Sequence, residues 1–443
     1  MTDQVKQDDQ AGLGIQAGDS VEVTLGEAAH GGWCVARLTD GRVIFVRHGL
    51  PGELVRAEVT DVTSRFARAD AVEIITASPD RVVPPCPQAR PGGCGGCDWQ
   101  HASLSAQRTL KASIVAQQLQ RLAGLEWPVT VEPLPGDDTG GAEDGLAWRT
   151  RMQFAVSPSG VAGLRGHRSH EVIDVGTCLI AHPAITELAI TGRAWPGTIA
   201  IEAIVVPETG ESAVIVAPRG KKGAGADNTG RSDLAGADAV LTRRGRAGLG
   251  AVRGHSYLSQ RAAGRHWRVS ASAFWQVHPG AADALTAAVL AALQPAAGDT
   301  ALDLYCGAGL FAGVLAPLVG PGGTVAGVEY DAAAVRDARH NLRDWPWVRV
   351  HRGDVSEVIE RGGLPQARLV VADPPRAGLD RRVIEYLGRT GEAERLAYVS
   401  CDPATLARDI GLLRARGWEL TALRAFDAFP MTHHVECVAT LVR

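Results

Sequence analysis

Apolar and polar positions alternate in short runs through the first part of the chain. Residues 20–25, 33–38, 42–46, 54–62 and 67–75 each read as a strand, with Gly, Asp and Pro between them. Five short strands so close together predict a small OB-like barrel over residues 12–77. Barrels of this kind commonly bind single-stranded nucleic acid.

The period then changes. Leu104, Leu110, Ile114, Leu119 and Leu122 recur at helical spacing and predict a helix over 103–124. Residues 134–146 are a Gly- and Asp-rich loop, and 147–262 alternate again in several short runs. The Gly/polar stretch 219–237 reads as a mobile insertion in a β-rich central domain. We place that domain at 78–265 and leave helix 103–124 as a candidate to pack on the domain that follows.

From residue 266 onward helices and strands take turns. Helix 281–293 leads into apolar strands at 300–305, 323–329, 347–351, 368–373 and 396–400, with helical runs between them. This alternation predicts a doubly wound parallel sheet, an α/β fold over 266–443. Residues 419–426 and 435–442 read as a closing antiparallel pair.

A chain of 443 residues is too long for one core, so several domains are expected. No apolar run reaches the roughly 18 residues of a membrane span, and the polar, acidic first residues lack the pattern of a secretory leader. The expectation is a cytoplasmic protein with no membrane partner and no obligate protein partner. The net charge of −4 does not announce a nucleic-acid partner by itself. In that compartment eight cysteines favour metal binding or catalysis over disulfides.

The cysteines fall into two settings. Cys86, Cys94 and Cys97, the last two in a C-x2-C pair, match a zinc or iron–sulfur site. Such a site needs a fourth ligand, and Cys178 is preferred because Cys306 and Cys401 lie in the sheet motifs. Cys401 ends a buried strand in Tyr398-Val399-Ser400-Cys401-Asp402-Pro403, where open α/β sheets place reactive groups.

A second strand end carries Asp303-Leu304-Tyr305-Cys306-Gly307-Ala308-Gly309, whose glycines permit close backbone approach to a ligand. Glu329 and Asp354 end the next two strands. An ordered trio of acidic strand ends is the pattern of S-adenosylmethionine sites, although each acid alone suits a helix cap equally well.

Together these runs resemble the bacterial RNA 5-methyluridine methyltransferases, closest to the iron–sulfur branch that acts on 23S ribosomal RNA. The resemblance covers nearly the whole chain. It includes a TRAM-like N-terminal barrel, Cys94-Gly95-Gly96-Cys97-Asp98-Trp99-Gln100-His101 and Ala273-Phe274-Trp275-Gln276-Val277-His278. It continues through the glycine loop, Asp373-Pro374-Pro375-Arg376-Ala377-Gly378, Ser400-Cys401-Asp402-Pro403 and His434-Val435-Glu436.

The resemblance implies methylation of uridine C5 in RNA, with Cys401 as nucleophile and Glu436 as base. It places Gln276, Asp303, Tyr305, Gly307, Gly309, Glu329, Asp354 and Asp373 around S-adenosylmethionine. It assigns Cys86, Cys94, Cys97 and Cys178 to a [4Fe-4S] cluster. Three residues depart from the family's usual Asn: Leu310, His278 and Asp402. Two other readings compete: a transfer RNA enzyme of the same chemistry, and an iron–sulfur RNA-binding or redox-sensing protein with a vestigial transferase domain. Retention of both Cys401 and Glu436 argues against the last.

Overall fold

The computed structural model describes residues 15–137, 144–220, 234, 236–245, 248–389 and 391–443. The chain forms two compact units, Met1–Val83 and Pro84–Arg443.

The first unit is a six-stranded sheet. Its order is Ser20–Thr24, Leu54–Val62, Phe66–Thr76, Val43–Arg47, Trp33–Arg37 and Ala28–Ala29. Alternate residues turn inward, so Val55, Ala57 and Val59 meet Ala67, Ala69 and Ala71 in one core. Five strands lie where the alternation predicts them. The sixth, Ala28–Ala29, is too short to show a period.

In the second unit a seven-stranded sheet runs Val172–Ile173, Ala162–Arg165, Arg151–Val156, Thr198–Val205, Ser212–Pro218, Ala239–Arg243 and Leu249–Arg253. Its neighbours are antiparallel except Ser212–Pro218 and Ala239–Arg243. The expected insertion 219–237 joins that parallel pair, and its residues 221–233 and 235 lie outside the described residues. The hairpin Tyr257–Ala262 and Arg265–Ser270 follows.

The last sheet has eight strands. Its order is Val348–Arg352, Thr324–Glu329, Thr300–Leu304, Leu369–Ala372, Arg395–Ser400, Glu436–Val442, Glu419–Phe426 and Val131–Glu132. The first five are parallel. Strands such as Leu369–Ala372 are buried throughout, as a sheet covered on both faces requires. The order reverses between Thr300–Leu304 and Leu369–Ala372. That reversal opens a crevice at the carboxyl ends of the strands. Separate apolar cores cover the two faces.

The helix Leu104–Gln118 packs on this last sheet, with Val115 in the same apolar core as Leu302 and Leu406. Its buried face keeps Ile114 and Leu119 of the expected stripe and adds two polar side chains. Leu122 lies half exposed in the wider helical turn Leu119–Ala123 that continues the helix, while Gln107 and Lys111 are wholly buried. Both polar side chains reach the loop that precedes Glu436, so this face is read by hydrogen bonding as much as by hydropathy. Among the described residues no helix is long and apolar enough to cross a membrane.

Candidate active site

Four of the expected residues gather at one edge of the sheet, three at or beyond the carboxyl ends of parallel strands and Glu436 at the start of their antiparallel neighbour. Cys401 follows the strand Arg395–Ser400 directly. Glu436 opens the antiparallel neighbour, whose register sets Ser400 against Cys437. One step further out along that ladder brings Cys401 opposite Glu436. Asp373 follows the adjoining strand Leu369–Ala372, and Asp303 lies in the strand beyond it.

Asp402 caps the helix Pro403–Arg414 by accepting from Thr405 N at 2.8 Å. Its departure from the usual Asn therefore keeps the cap. It also adds a negative charge beside the thiol.

The electrostatics are dominated by burial of acids. Burial, then Glu436, pushes the Cys401 thiol up to about 11; Arg376 works in the opposite direction. Glu436 is buried, and its carboxyl is held well above the ordinary range by desolvation and by Asp373, against Arg376. Asp373 rises for the same first reason, desolvation. Several acids share one low-dielectric crevice, and they cannot all be ionised together.

Arg376 is the cation that answers them, lowering both Cys401 and Glu436. Its Nη2 lies 3.4 Å from His434 Nε2. Burial and the neighbouring His433 and Arg376 lower His434 to about 3, so its ring is neutral at ordinary pH. Its signal in the sequence is the Asp-Pro-Pro-Arg motif, where the prolines turn the chain and leave the next side chain at the mouth of the crevice.

The glycine loop has the backbone that its composition suggests. Tyr305, Gly307 and Gly309 all have positive φ, at 69°, 53° and 91°. A Cβ on Gly309 would lie 2.9 Å from Leu342 Cδ1. Glu329 orients the loop, accepting from Gly307 N at 2.9 Å and from Asp331 N at 2.7 Å. Tyr330, next in sequence, is 76% exposed beside this carboxylate.

Asp303 is fully buried; one oxygen accepts from Ala312 N at 2.7 Å, while Oδ1 has no partner among the described residues. Desolvation raises its carboxyl to about 7. Leu310 belongs to the apolar core, which accounts for an apolar residue there. Asp354 caps the helix Val355–Arg361, accepting from Ser356 N and Glu357 N, so the local role alone explains its position. Gln276 lines a small cleft with Thr150, Arg151 and Trp275, and makes no hydrogen bond among the described residues. His278 is buried and its Nε2 lies 3.0 Å from Asp137 Oδ1.

Cys86, Cys94, Cys97 and Cys178 line one cavity of about 360 Å³, together with Gln100, Arg149 and Arg165. Burial raises the thiols of Cys94, Cys97 and Cys178. Gly96 N donates to Cys94 Sγ at 3.3 Å and Gln100 Nε2 to Cys97 Sγ at 3.2 Å. Among the described residues no three His, Cys, Asp or Glu side chains form a group that could hold a metal ion as placed. The cysteines stand around the walls of the cavity instead of meeting at a point.

This cavity is tied to the loop before Glu436. Asp98 N and Trp99 N donate to Met431 O at 2.9 and 3.1 Å. Gln107 accepts from Met431 N at 2.8 Å, and Lys111 Nζ pairs with Asp427 and donates to Phe429 O. Met431 itself has φ 67°, a conformation costly for a non-glycine residue. The surrounding bonds hold it there.

Comparison with known proteins places this architecture. The family description tRNA (Uracil-5-)-methyltransferase matches residues 365–443, and the TRAM domain matches 16–72. Residues 263–359 match the protein-L-isoaspartate(D-aspartate) O-methyltransferase description. An uncharacterized RNA methyltransferase of Streptomyces avermitilis is 50% identical over 96% of this chain and 98% of its own length. One from Bifidobacterium longum is 36% identical over 95% and 96%.

The crystal structure of the Pyrococcus abyssi tRNA (uracil-54, C5)-methyltransferase in complex with S-adenosyl-L-homocysteine superposes with a TM-score of 0.70. It covers 95% of this chain and all of that one at 22% identity, and so it speaks to the fold. With the TRAM domain, the transferase sheet and full-length relatives in agreement, the chain belongs to the RNA (uracil-5-)-methyltransferase family.

Proposed function

We propose that this enzyme methylates C5 of a uridine through a covalent bond between Cys401 and C6, and that its substrate is 23S ribosomal RNA. The observation that carries the chemistry is the strand register that sets Cys401 against Glu436, with Asp373 on the next strand.

Uracil C5 is a weak nucleophile. The Cys401 thiolate adds to C6, the C5–C6 double bond opens, and the electron pair moves to C5 and the ring carbonyl. S-adenosylmethionine, when bound, would supply the electrophilic methyl group; C5 takes it up as the sulfonium S–CH3 bond breaks and S-adenosylhomocysteine leaves. Glu436, ionised, removes the remaining C5 proton; the double bond re-forms and the C6–S bond breaks, returning the thiolate. Asp373 holds the ring in register through its N3–H. Arg376 favours both anions. The uridine must leave its stack or be single-stranded to reach Cys401.

The cofactor site consists of the Tyr305–Gly309 loop, Glu329 and Asp303, with Gln276 and Asp354 at its margins. The orphan Oδ1 of the buried Asp303 and the open space above Gly307 fit a polar ligand. Cys86, Cys94, Cys97 and Cys178 hold a [4Fe-4S] cluster. Ligands spread around a cavity, with N–H donors aimed at sulfur, suit a polynuclear group better than a single ion. Residues 12–77 serve RNA binding, 78–265 carry the cluster, and 266–443 carry out the chemistry in the cytoplasm. The ribosomal target rests on the cluster cysteines, and a transfer RNA target remains the second reading.

Undermethylated RNA carrying 5-fluorouridine tests this. Fluorine does not leave C5 as a proton, so the wild type should form a denaturation-resistant protein–RNA adduct and Cys401→Ala should not. Turnover by Cys401→Ala at the wild-type rate overturns the mechanism. Mapping 5-methyluridine in a deletion strain decides between ribosomal and transfer RNA.

A further inference from the structure

Between Asp238 and Asp283 the chain contains no acidic residue, but it contains seven arginines and three histidines. In a protein with a net charge of −4 this is a local reversal of sign. The hairpin Tyr257–Ala262 and Arg265–Ser270 lies inside it. Its inward side buries Leu258, Ala262, Trp267 and Val269, with Gln260 the one polar residue among them. Its outward side sets Ser259 against Arg268 and Arg261 against His266.

Two features make this outward side more than a solvated face. First, it carries a column of flat groups. The ring of His255 stacks on Tyr257 at 5.1 Å and 21°, and the Arg268 guanidinium lies 4.3 Å from the Tyr257 centroid. His255 is exposed and forms one end of the column. Second, its charge is not fully matched. Arg268 pairs with Asp337 at 3.3 Å and Arg265 lies 4.0 Å from Asp344, while Ser259 N is capped by Glu211. Arg261 is exposed and has no acidic partner among the described residues. After Ser270 the chain runs directly to Phe274, 68% exposed, and to Gln276 of the candidate site.

We infer that this ribbon is a second RNA-binding surface, which takes the single strand flanking the target uridine, with a base on His255 and a phosphate on Arg261. The inference rests on the enzyme acting on RNA, as the preceding section reads it. Aromatic end groups with unpaired arginine are the combination that single-stranded nucleic acid requires. An acidic protein would need the charge but not the stack.

The test uses the full-length protein and a fluorescent undermethylated RNA strand, followed by anisotropy over a range of salt. Arg261→Gln should flatten the dependence of log affinity on log salt by about 0.7 for one lost single-strand phosphate contact. His255→Ala should weaken binding about tenfold without changing that slope, as loss of a stacking platform does. Both variants should keep wild-type S-adenosylmethionine affinity and thermal midpoint. Unchanged RNA affinity and slope in both variants overturns the inference, and so does an effect of Arg261→Gln with none of His255→Ala, the pattern of a surface that reads charge alone. Binding is read without methyl transfer, so a failure of the proposed chemistry leaves this result legible.

Discussion

Asp98 and His433 lock the cysteine-lined cavity to the catalytic loop. One carboxylate oxygen of Asp98 accepts both the backbone N–H of His433 at 3.1 Å and its ring Nδ1–H at 2.7 Å. Asp98 follows Cys97, and His433 stands three residues before Glu436. Asp98→Ala should therefore lower kcat about tenfold while leaving S-adenosylmethionine affinity unchanged, the scale of one lost charge-assisted hydrogen bond. Asp98→Asn keeps an acceptor oxygen and should restore most of the rate. Equal damage from both would show that bulk stability, not positioning, is at work.

Reactivity of Cys401 should follow pH with a defined sign. Its thiol is raised by burial and Glu436, so alkylation by iodoacetamide should climb steadily from pH 7 to 10 with no plateau near the ordinary thiol value. Glu436→Gln removes a negative neighbour and should move the curve to lower pH. Arg376→Ala removes the opposing cation and should move it higher. Opposite shifts would invert the electrostatic account.

Elimination should stall when its base is removed. Glu436→Gln should accumulate methylated RNA still bonded to protein, with turnover reduced about 10²–10⁴-fold, the usual range for general-base catalysis. Free methylated product at the wild-type rate would assign the proton to another group.

Lys111 offers a stability test. It is buried against Asp427, and Lys111→Met leaves that carboxylate unpaired. We expect a loss of about 3–5 kcal/mol in chemical denaturation. The double variant Lys111→Met/Asp427→Leu should recover much of it, because no lone charge then remains.

The proposed cluster should give about four iron atoms per chain after anaerobic purification, lost when its cysteines are replaced. Cys97→Ser should lose iron and visible absorbance together. Stoichiometric zinc in colourless wild-type protein would replace the cluster with a single ion.

Much of the architecture could be read from the sequence because its signals are local. The helix Ala281–Leu293 falls where its apolar period places it, and the strand ending at Ser400 is a continuous apolar run. What could not be read depends on distant partners. Gln107 and Lys111 look like surface residues until Met431 and Asp427, more than 300 positions later, give them hydrogen bonds. The parallel pairing of Ser212–Pro218 with Ala239–Arg243 leaves no periodic mark. Cys401 and Glu436 were legible as motifs, but their opposition is a property of strand register, and Arg376 becomes electrostatically important only where the acids gather.

The two-residue strand Val131–Glu132 has a consequence for how the protein behaves at high concentration. It pairs with Ala425 and Phe426, and Arg424 grips Glu132 through Nε and Nη2 at 2.9 and 2.6 Å. The large sheet thus ends on a very short, charged border. Its opposite border, Val348–Arg352, exposes Arg349 and Arg352. Neither border offers a long, flat, apolar template for another chain's backbone. Runaway sheet growth between copies is disfavoured at both ends, and a peptide seeking to extend this sheet by strand addition would meet charge where it needs open hydrogen-bonding groups.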